Sequence, residues 1–435
     1  MDSMVMIVLS SVVFLLFLMV LGIPIGFALA VVGLTGYTYL EGWQVALNQL
    51  SMVTWEHALS YTFACVPLFI LTGEFAYQGG FATDFYAGVQ KWFSRLPGGL
   101  LITAFMSCAG FAAVTGSSTA TVASIGSMSY PELKKHGYDP GLSLAGLSAG
   151  GTLGILIPPS LGMVFYAIVT EQSIGKLFIA GIFPGILLAF LFCLLSYGIA
   201  RVNPGLAPRG GEANWGERFK SIPRMSVIPI VFFIIIGGIY AGIYTPTEAA
   251  GCATLFILIC SFVTGRFRWQ GFVASLVRAG QLTAMVLTIV AGGILYARFL
   301  VLTDSMPQMI GFITSTGMGP IAFLLVLIPI YCVLGMFLDI YGMMIVTLPI
   351  VFPIIVKLGV DPIFFGVFIT VMCEIALITP PVGVNTYVAA ALGGAEAKMG
   401  SIFVWILPYF FVMILLIVIL ILYPDVAMWL PRNSA

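Results

Sequence analysis

A chain of 435 residues that is 60% hydrophobic and 8% charged is excluded from the aqueous globular class, where about 25% of residues are charged. Its 17 basic and 17 acidic side chains leave no net charge, so nucleic acid is not an expected partner and the lipid bilayer is the expected solvent. Seven cysteines stand singly, without CxxC spacing, and read as thiols of an apolar interior rather than metal ligands.

Apolar runs near the ~20 residues needed to cross a bilayer predict spans at 4–21, 24–40, 61–78, 177–200, 225–243, 247–264, 279–302 and 400–423. The first run has no basic segment before it and leads directly into the second, so it reads as a first span rather than a cleaved signal. Two further regions, 97–171 and 319–392, are as apolar but are interrupted by Gly, Pro, Ser and Thr. Between the halves, Arg201 to Arg224 combines turn residues with alternating charge and reads as a solvated linker.

The two interrupted regions are copies of each other. Lys135, Gly137, Asp139 and Pro140 fall on Lys357, Gly359, Asp361 and Pro362 at an offset of 222 residues. The same frame carries Pro131 onto Pro353 and Pro158-Pro159 onto Pro380-Pro381. Interrupted hydrophobic segments in corresponding positions of two halves point to a transporter whose site lies at the repeat interface.

Basic residues cluster at Lys91/Arg95, Lys134/Lys135, Arg201 to Arg224 and Arg266/Arg268/Arg278, and the positive-inside rule makes all four places cytoplasmic. Residues 97–133 must then enter and leave on one side, as a re-entrant helical hairpin. Counting crossings onward, the matching hairpin at 319–356 enters from the opposite face, and both termini come out periplasmic. The expected fold is an all-α integral membrane protein of two inverted repeats, 1–200 and 225–435, joined by the linker 201–224. Each repeat holds membrane helices, one hairpin and one broken helix.

Chemistry concentrates at the interruptions. Gly116, Ser117, Ser118 and Thr119 form the tip of the first hairpin, and Gly154 to Ser160, with Pro158-Pro159, breaks the helix that follows. Each proline removes a backbone donor and crowds the preceding turn, so carbonyls about four residues back lose their helical partners. Carbonyls freed at bilayer depth beside small hydroxyls make an oxygen cage suited to a hard cation such as sodium. The second copy supplies Gly335, Asp339 and Tyr341 at its tip and Thr379 to Asn385 at its break, with Asp339 at the position of Ser117. A lone Pro-Pro pair more often marks a kink; two in one repeat frame favour the ion-site reading. Thr121, Ser124, Ser127 and Ser129 read as ordinary backbone or interhelical bonders. Of the ionisable residues within spans, Glu74, Asp339 and Glu374 are functional candidates, whereas Glu248, after Thr245-Pro246-Thr247, reads as a helix start. His57 and His136 have no HExxH-like spacing and no nucleophilic triad or phosphate loop stands out, so no enzyme is expected.

These residues resemble the large membrane subunit of tripartite ATP-independent periplasmic (TRAP) transporters, within the ion-transporter superfamily. The likeness spans essentially the whole chain and rests on Val114 to Ser118, His136 to Tyr138, Leu153 to Ser160, Ser173 to Phe178, Ala180 to Gly185, Thr245 to Ala250, Gly335 to Asp339 and Thr379 to Asn385. It implies a scaffold plus an elevator-like transport domain in a bacterial or archaeal cytoplasmic membrane, taking up small organic acids with at least two sodium ions. It also implies two partners: a small four-helix membrane subunit, expected as a separate chain, and a soluble periplasmic substrate-binding protein. Family sodium sites map onto Ser117, Ser118, Gly154 and Pro158 in the first copy and onto Gly335, Asp339, Thr379 and Gly383 in the second. Thr119, Ser160 and Asn385 are the candidates for the substrate lining. A stand-alone sodium/carboxylate symporter and an ion channel built on re-entrant hairpins remain as alternatives, and a non-transporting scaffold leaves both Pro-Pro breaks unexplained.

Overall fold

The computed structural model describes residues 3–211, 214–303, 307–308, 311 and 315–433, all in helices, turns and loops with no strand among them. Glu212 and Ala213 of the linker, and the last residues at either end on which the predicted sidedness of the termini bears, lie outside the described residues. Five described helices are long and apolar enough to cross a membrane, or seven if each of two bent pairs counts as one span.

Both repeat copies fold as a helical hairpin followed by a broken helix. The first hairpin pairs Gly99–Thr115 with Ser118–Lys135, and the second pairs Pro320–Leu334 with Ile340–Lys357. Local chemistry repeats at the same offset of 222. Ser117 and Asp339 cap the second arm of their hairpins, accepting from the backbone N–H of Ala120 at 3.4 Å and of Gly342 at 2.8 Å. Asp139 and Asp361 cap the broken helices, accepting from Leu142 at 2.8 Å and Phe364 at 3.2 Å, each with proline next in sequence. Gly137 and Gly359 both turn the chain at φ +76°, a left-handed conformation that glycine adopts without steric cost. The broken helices run over Pro140–Leu156 and Pro362–Ile378, stop at Pro158-Pro159 and Pro380-Pro381, both cis, and resume as Leu161–Thr170 and Val384–Gly393.

The copies interlock. The Ser118 hydroxyl of the first hairpin donates to Glu374 on the second broken helix. Reciprocally, the Tyr341 ring of the second hairpin lies 5.3 Å from that of Phe165 on the first broken helix. Ser148 and Thr386 tie the two broken helices directly, with hydroxyls 3.0 Å apart.

Around these units run longer helices. Ile25–Glu41 lies along Trp269–Leu302 with backbones in contact: a Cβ on Gly26 would sit 2.9 Å from the backbone of Thr288 and Ile289, and one on Gly292 would sit 2.2 Å from the Gly26 carbonyl oxygen. Small residues allow such close approach, the packing device of helices that have no hydrophobic drive between them in lipid. Cys65–Gln78 packs beside Trp269–Leu302 and against Pro246–Val263, the latter through the Thr72 and Thr254 hydroxyls 2.8 Å apart. Glu248 completes a capping box with Thr245 at the start of Pro246–Val263, donating its N–H to Thr245 Oγ1 at 3.3 Å and accepting from the Thr245 N–H at 2.8 Å. The helix-start reading of Glu248 therefore holds.

Three features correct the sequence reading. The stretch Arg201 to Arg224 is not a solvated linker throughout. Ile174–Val202 extends into its start, and Trp215–Met225 is an amphipathic helix docked on Phe81–Phe93, where the Trp92 ring lies 6.5 Å from that of Trp215 and 6.1 Å from that of Phe219. The Arg218 Nε–H also donates to the Lys91 carbonyl at 3.1 Å. Its i, i+4 aromatic pair supplies an apolar face that turn and charge counting overlooked. Trp43–Ala58, Phe81–Phe93 and Asp425–Asn433 are further helices too short or too polar to register as spans. Finally, Trp269–Leu302 begins ten residues before the span predicted at 279, which brings Arg278 inside the helix.

Candidate functional site

Four helix N-termini converge on one cavity of about 430 Å³, because Ser118, Leu161, Ile340 and Val384, each the first residue of its helix, all line it. The positive dipole ends of four helices favour anionic groups here, while Ser117, Ser160 and Asp339 already accept one N–H each from the first turns of three of them. Ser117, Thr119 and Asp339 line the same space. The outer wall carries Glu74, on Cys65–Gln78, and Arg278, on Trp269–Leu302.

Of the residues expected to hold sodium, Ser117, Ser118 and Asp339 therefore meet at this cavity. Gly154 and Gly335 act one layer behind. A Cβ at Gly154 would lie 2.5 Å from Thr121 Oγ1 and 2.7 Å from the Ser117 carbonyl oxygen, and one at Gly335 would lie 2.9 Å from the Ala376 backbone. Each glycine thus lets a hairpin tip seat on the broken helix of its own copy. A backbone bond from the Leu161 N–H to the Gly116 carbonyl, 3.1 Å, closes the first of these joints. Pro158 is buried within the first break. Thr379 donates to the Ile375 carbonyl at 2.6 Å, and Gly383 turns the second break at φ +52°.

The expected substrate residues separate. Thr119 lines the cavity, its hydroxyl 3.3 Å from that of Ser117. Ser160 and Asn385 are wholly buried outside the lining. Ser160 spends its hydroxyl capping Leu161–Thr170, accepting from the Met163 N–H at 3.1 Å. Neither polar atom of the Asn385 side chain has a hydrogen-bond partner among the described residues. Thr121 and Ser127 bond to backbone carbonyls at 2.8 Å, as their type predicts, whereas Ser124 lines the cavity.

Two residues gain a definite place: Glu374, a functional candidate from the sequence, turns to a helix partner, and Arg278 was not a candidate at all. Glu374, 1% exposed, joins the copies through Ser118 and keeps its other oxygen unpartnered. Arg278, read only as a marker of sidedness, is the one cation among the described residues of the cavity lining, its Nη1 3.9 Å from Glu74 Oε2. A single arginine ten residues into a long apolar helix was the signal that could have found it.

Residues 12–426 match the model of the family described as "Tripartite ATP-independent periplasmic transporter, DctM component". The chain is 36% identical, over 391 residues covering 89% of it and 90% of the relative, to the C4-dicarboxylate TRAP transporter large permease protein DctM of Pseudomonas aeruginosa. It is 32% identical to the ectoine TRAP transporter large permease protein TeaC of Halomonas elongata, covering 95% of this chain and 96% of that one. Among solved structures, the YdaH transporter of Alcanivorax borkumensis is similar with a TM-score of 0.62 at 13% identity, over 90% of each chain, a likeness of fold alone. The all-helical membrane architecture and the match along nearly the whole length agree: the chain belongs to the DctM component family of tripartite ATP-independent periplasmic transporters, and it is a multi-pass transporter permease, not an enzyme.

Proposed function

We propose that the protein is the large permease of a sodium-driven uptake system for a small organic acid, with the cavity at the four helix N-termini as the substrate site. The observation that carries this reading is that convergence: helix N-termini from both copies meet at one space of about 430 Å³, within the range of small-molecule sites. Sodium ions, as co-transported substrates, would sit where each hairpin tip meets its broken helix, using Ser117, Gly154 and Pro158 in one copy and Gly335, Asp339, Thr379 and Gly383 in the other. Their charge would offset both Asp339 and the incoming carboxylate. Ser118, whose hydroxyl is given to Glu374, acts in this reading by fixing the first tip.

The hairpins and broken helices would form the moving transport domain, and Ile25–Glu41, Cys65–Gln78 and Trp269–Leu302 would belong to the scaffold against which it slides. The two repeats would be inverted in the bacterial or archaeal cytoplasmic membrane, with both termini periplasmic. A separate small membrane subunit and a periplasmic binding protein would complete the system, as the tripartite family name implies. The names of relatives cover more than one substrate, so the family fixes the class and not the molecule.

The test is uptake of labelled succinate into proteoliposomes containing all three components. The reading expects accumulation driven by an inward sodium gradient, lost when potassium replaces sodium and when the binding protein is omitted. Uptake by this chain alone would favour a stand-alone symporter, and unitary currents without saturable uptake would favour a channel.

A further inference from the structure

Glu74 and Arg278 face each other on the cavity wall in a geometry that is close enough to attract and too long to satisfy. Their 3.9 Å separation exceeds the about 2.7–2.9 Å of a charge-assisted hydrogen bond. Glu74 Oε2 is buried without a hydrogen-bond partner among the described residues, its side chain 15% exposed, while the Arg278 side chain is 61% exposed. A pair kept for stability would be expected to close into a bidentate contact, since a buried carboxylate oxygen left unbonded is costly. Here Arg278, whose guanidinium offers five donors in a planar fork that matches a carboxylate, lines the cavity.

The charges around that space call for it. Glu74 and Asp339 both line the cavity, and Arg278 is the only cation among its described lining residues. An organic anion entering beside two carboxylates meets repulsion that helix dipoles offset only in part, each being worth roughly half a charge. Deepening the function proposed above, and resting on it, we infer that Arg278 is a substrate-anion contact, and that Glu74 is the group that takes the guanidinium back when the anion leaves. Both residues stand on wall helices packed against each other, whereas Ser117, Thr119 and Asp339 stand on the hairpins. If the hairpin unit moves against the wall, the contact with Arg278 exists in one position only.

The experiment compares wild type, Arg278→Gln, Arg278→Lys and Glu74→Gln in proteoliposomes of the complete three-component system under a sodium gradient. Succinate, a dianion, is the transported probe, and succinamate, its monoanionic amide, is the competitor. The same binding protein serves every variant, so its own selectivity cancels from the comparison. Arg278→Gln is expected to raise the half-saturating succinate concentration by about 10-fold or more, as loss of a charged hydrogen bond implies, and to weaken succinamate less. Arg278→Lys should recover part of the loss. Glu74→Gln should lower both the half-saturating concentration and the maximal rate, because the anion then leaves without a competitor for the guanidinium. Arg278→Gln with a succinate half-saturation within about twofold of wild type, or with equal losses for both compounds, overturns the inference. A wild type that takes up another small dianion in place of succinate is compared using that dianion and its monoamide, and one that takes up no small organic acid under the gradient overturns the underlying reading, with which this inference falls.

Discussion

The Ser118 hydroxyl donates to the Glu374 carboxylate across 256 residues of chain, joining the tip of the first hairpin to the broken helix of the second copy. Both side chains are within 1% of full burial. Ser118→Ala should destabilise the protein by about 1–3 kcal/mol by leaving a buried carboxylate without its donor. Ser118→Ala combined with Glu374→Met should be more stable than Ser118→Ala alone, because removing both polar partners removes the unsatisfied group. Thermal unfolding of purified protein in detergent reads the order, and a double variant less stable than the single one contradicts it.

Asp339 combines a cap with a charge, and two substitutions separate them. Asparagine preserves the acceptor for the Gly342 N–H, now at 2.8 Å, and is as good an N-cap as aspartate. Asp339→Asn should therefore keep wild-type thermal stability while losing sodium-dependent uptake. Asp339→Ala should lose uptake and in addition about 1 kcal/mol of stability. Full sodium-dependent uptake by either variant, with normal membrane insertion, removes Asp339 from the sodium site; the same result for Ser117→Ala removes Ser117.

Gly154→Ala should separate the first hairpin tip from its broken helix. The added methyl would meet the Ser117 carbonyl oxygen at 2.7 Å as well as Thr121 Oγ1 at 2.5 Å, and overpacking of this kind costs about 1–3 kcal/mol. Shortening Thr121 to alanine relieves only the side-chain clash. Uptake by Gly154→Ala should therefore fall steeply and stay low in the Gly154→Ala/Thr121→Ala pair, measured at matched amounts of inserted protein. Rescue by the second substitution would show that the backbone contact is not what matters.

Trp215–Met225 carries Arg218, Lys220 and Arg224, all trypsin sites. Docking through Trp92 should protect them, so Trp92→Ala should speed cleavage of this helix several-fold. In sealed membranes the cut should occur only from the side marked cytoplasmic by the basic residues. Cleavage in right-side-out vesicles would reverse the predicted sidedness, and an unchanged rate in Trp92→Ala would mean that the aromatic contacts do not hold the helix.

Much of the architecture is legible in the sequence because it is written in covalent properties of single residues. Proline lacks a donor wherever it stands, glycine alone turns left-handed at no cost, and Ser or Asp before a helix caps its first turn. The breaks at Pro158-Pro159 and Pro380-Pro381, the turns at Gly137 and Gly359, and the caps at Ser117, Asp139, Asp339 and Asp361 fall where those properties require. The membrane class likewise follows from apolar bulk alone. What the tertiary structure decided is which of these residues share a space. Whether a side chain on a helix faces a cavity depends on the rotation of that helix about its axis, which is fixed by packing against partners hundreds of residues away. In chains as uniformly apolar as these, no hydrophobic stripe announces that rotation. Thus Ser160 and Asn385, chosen for their chemistry, turn into the interior, while Arg278 and Glu374 reach the cavity wall and the joint between the copies.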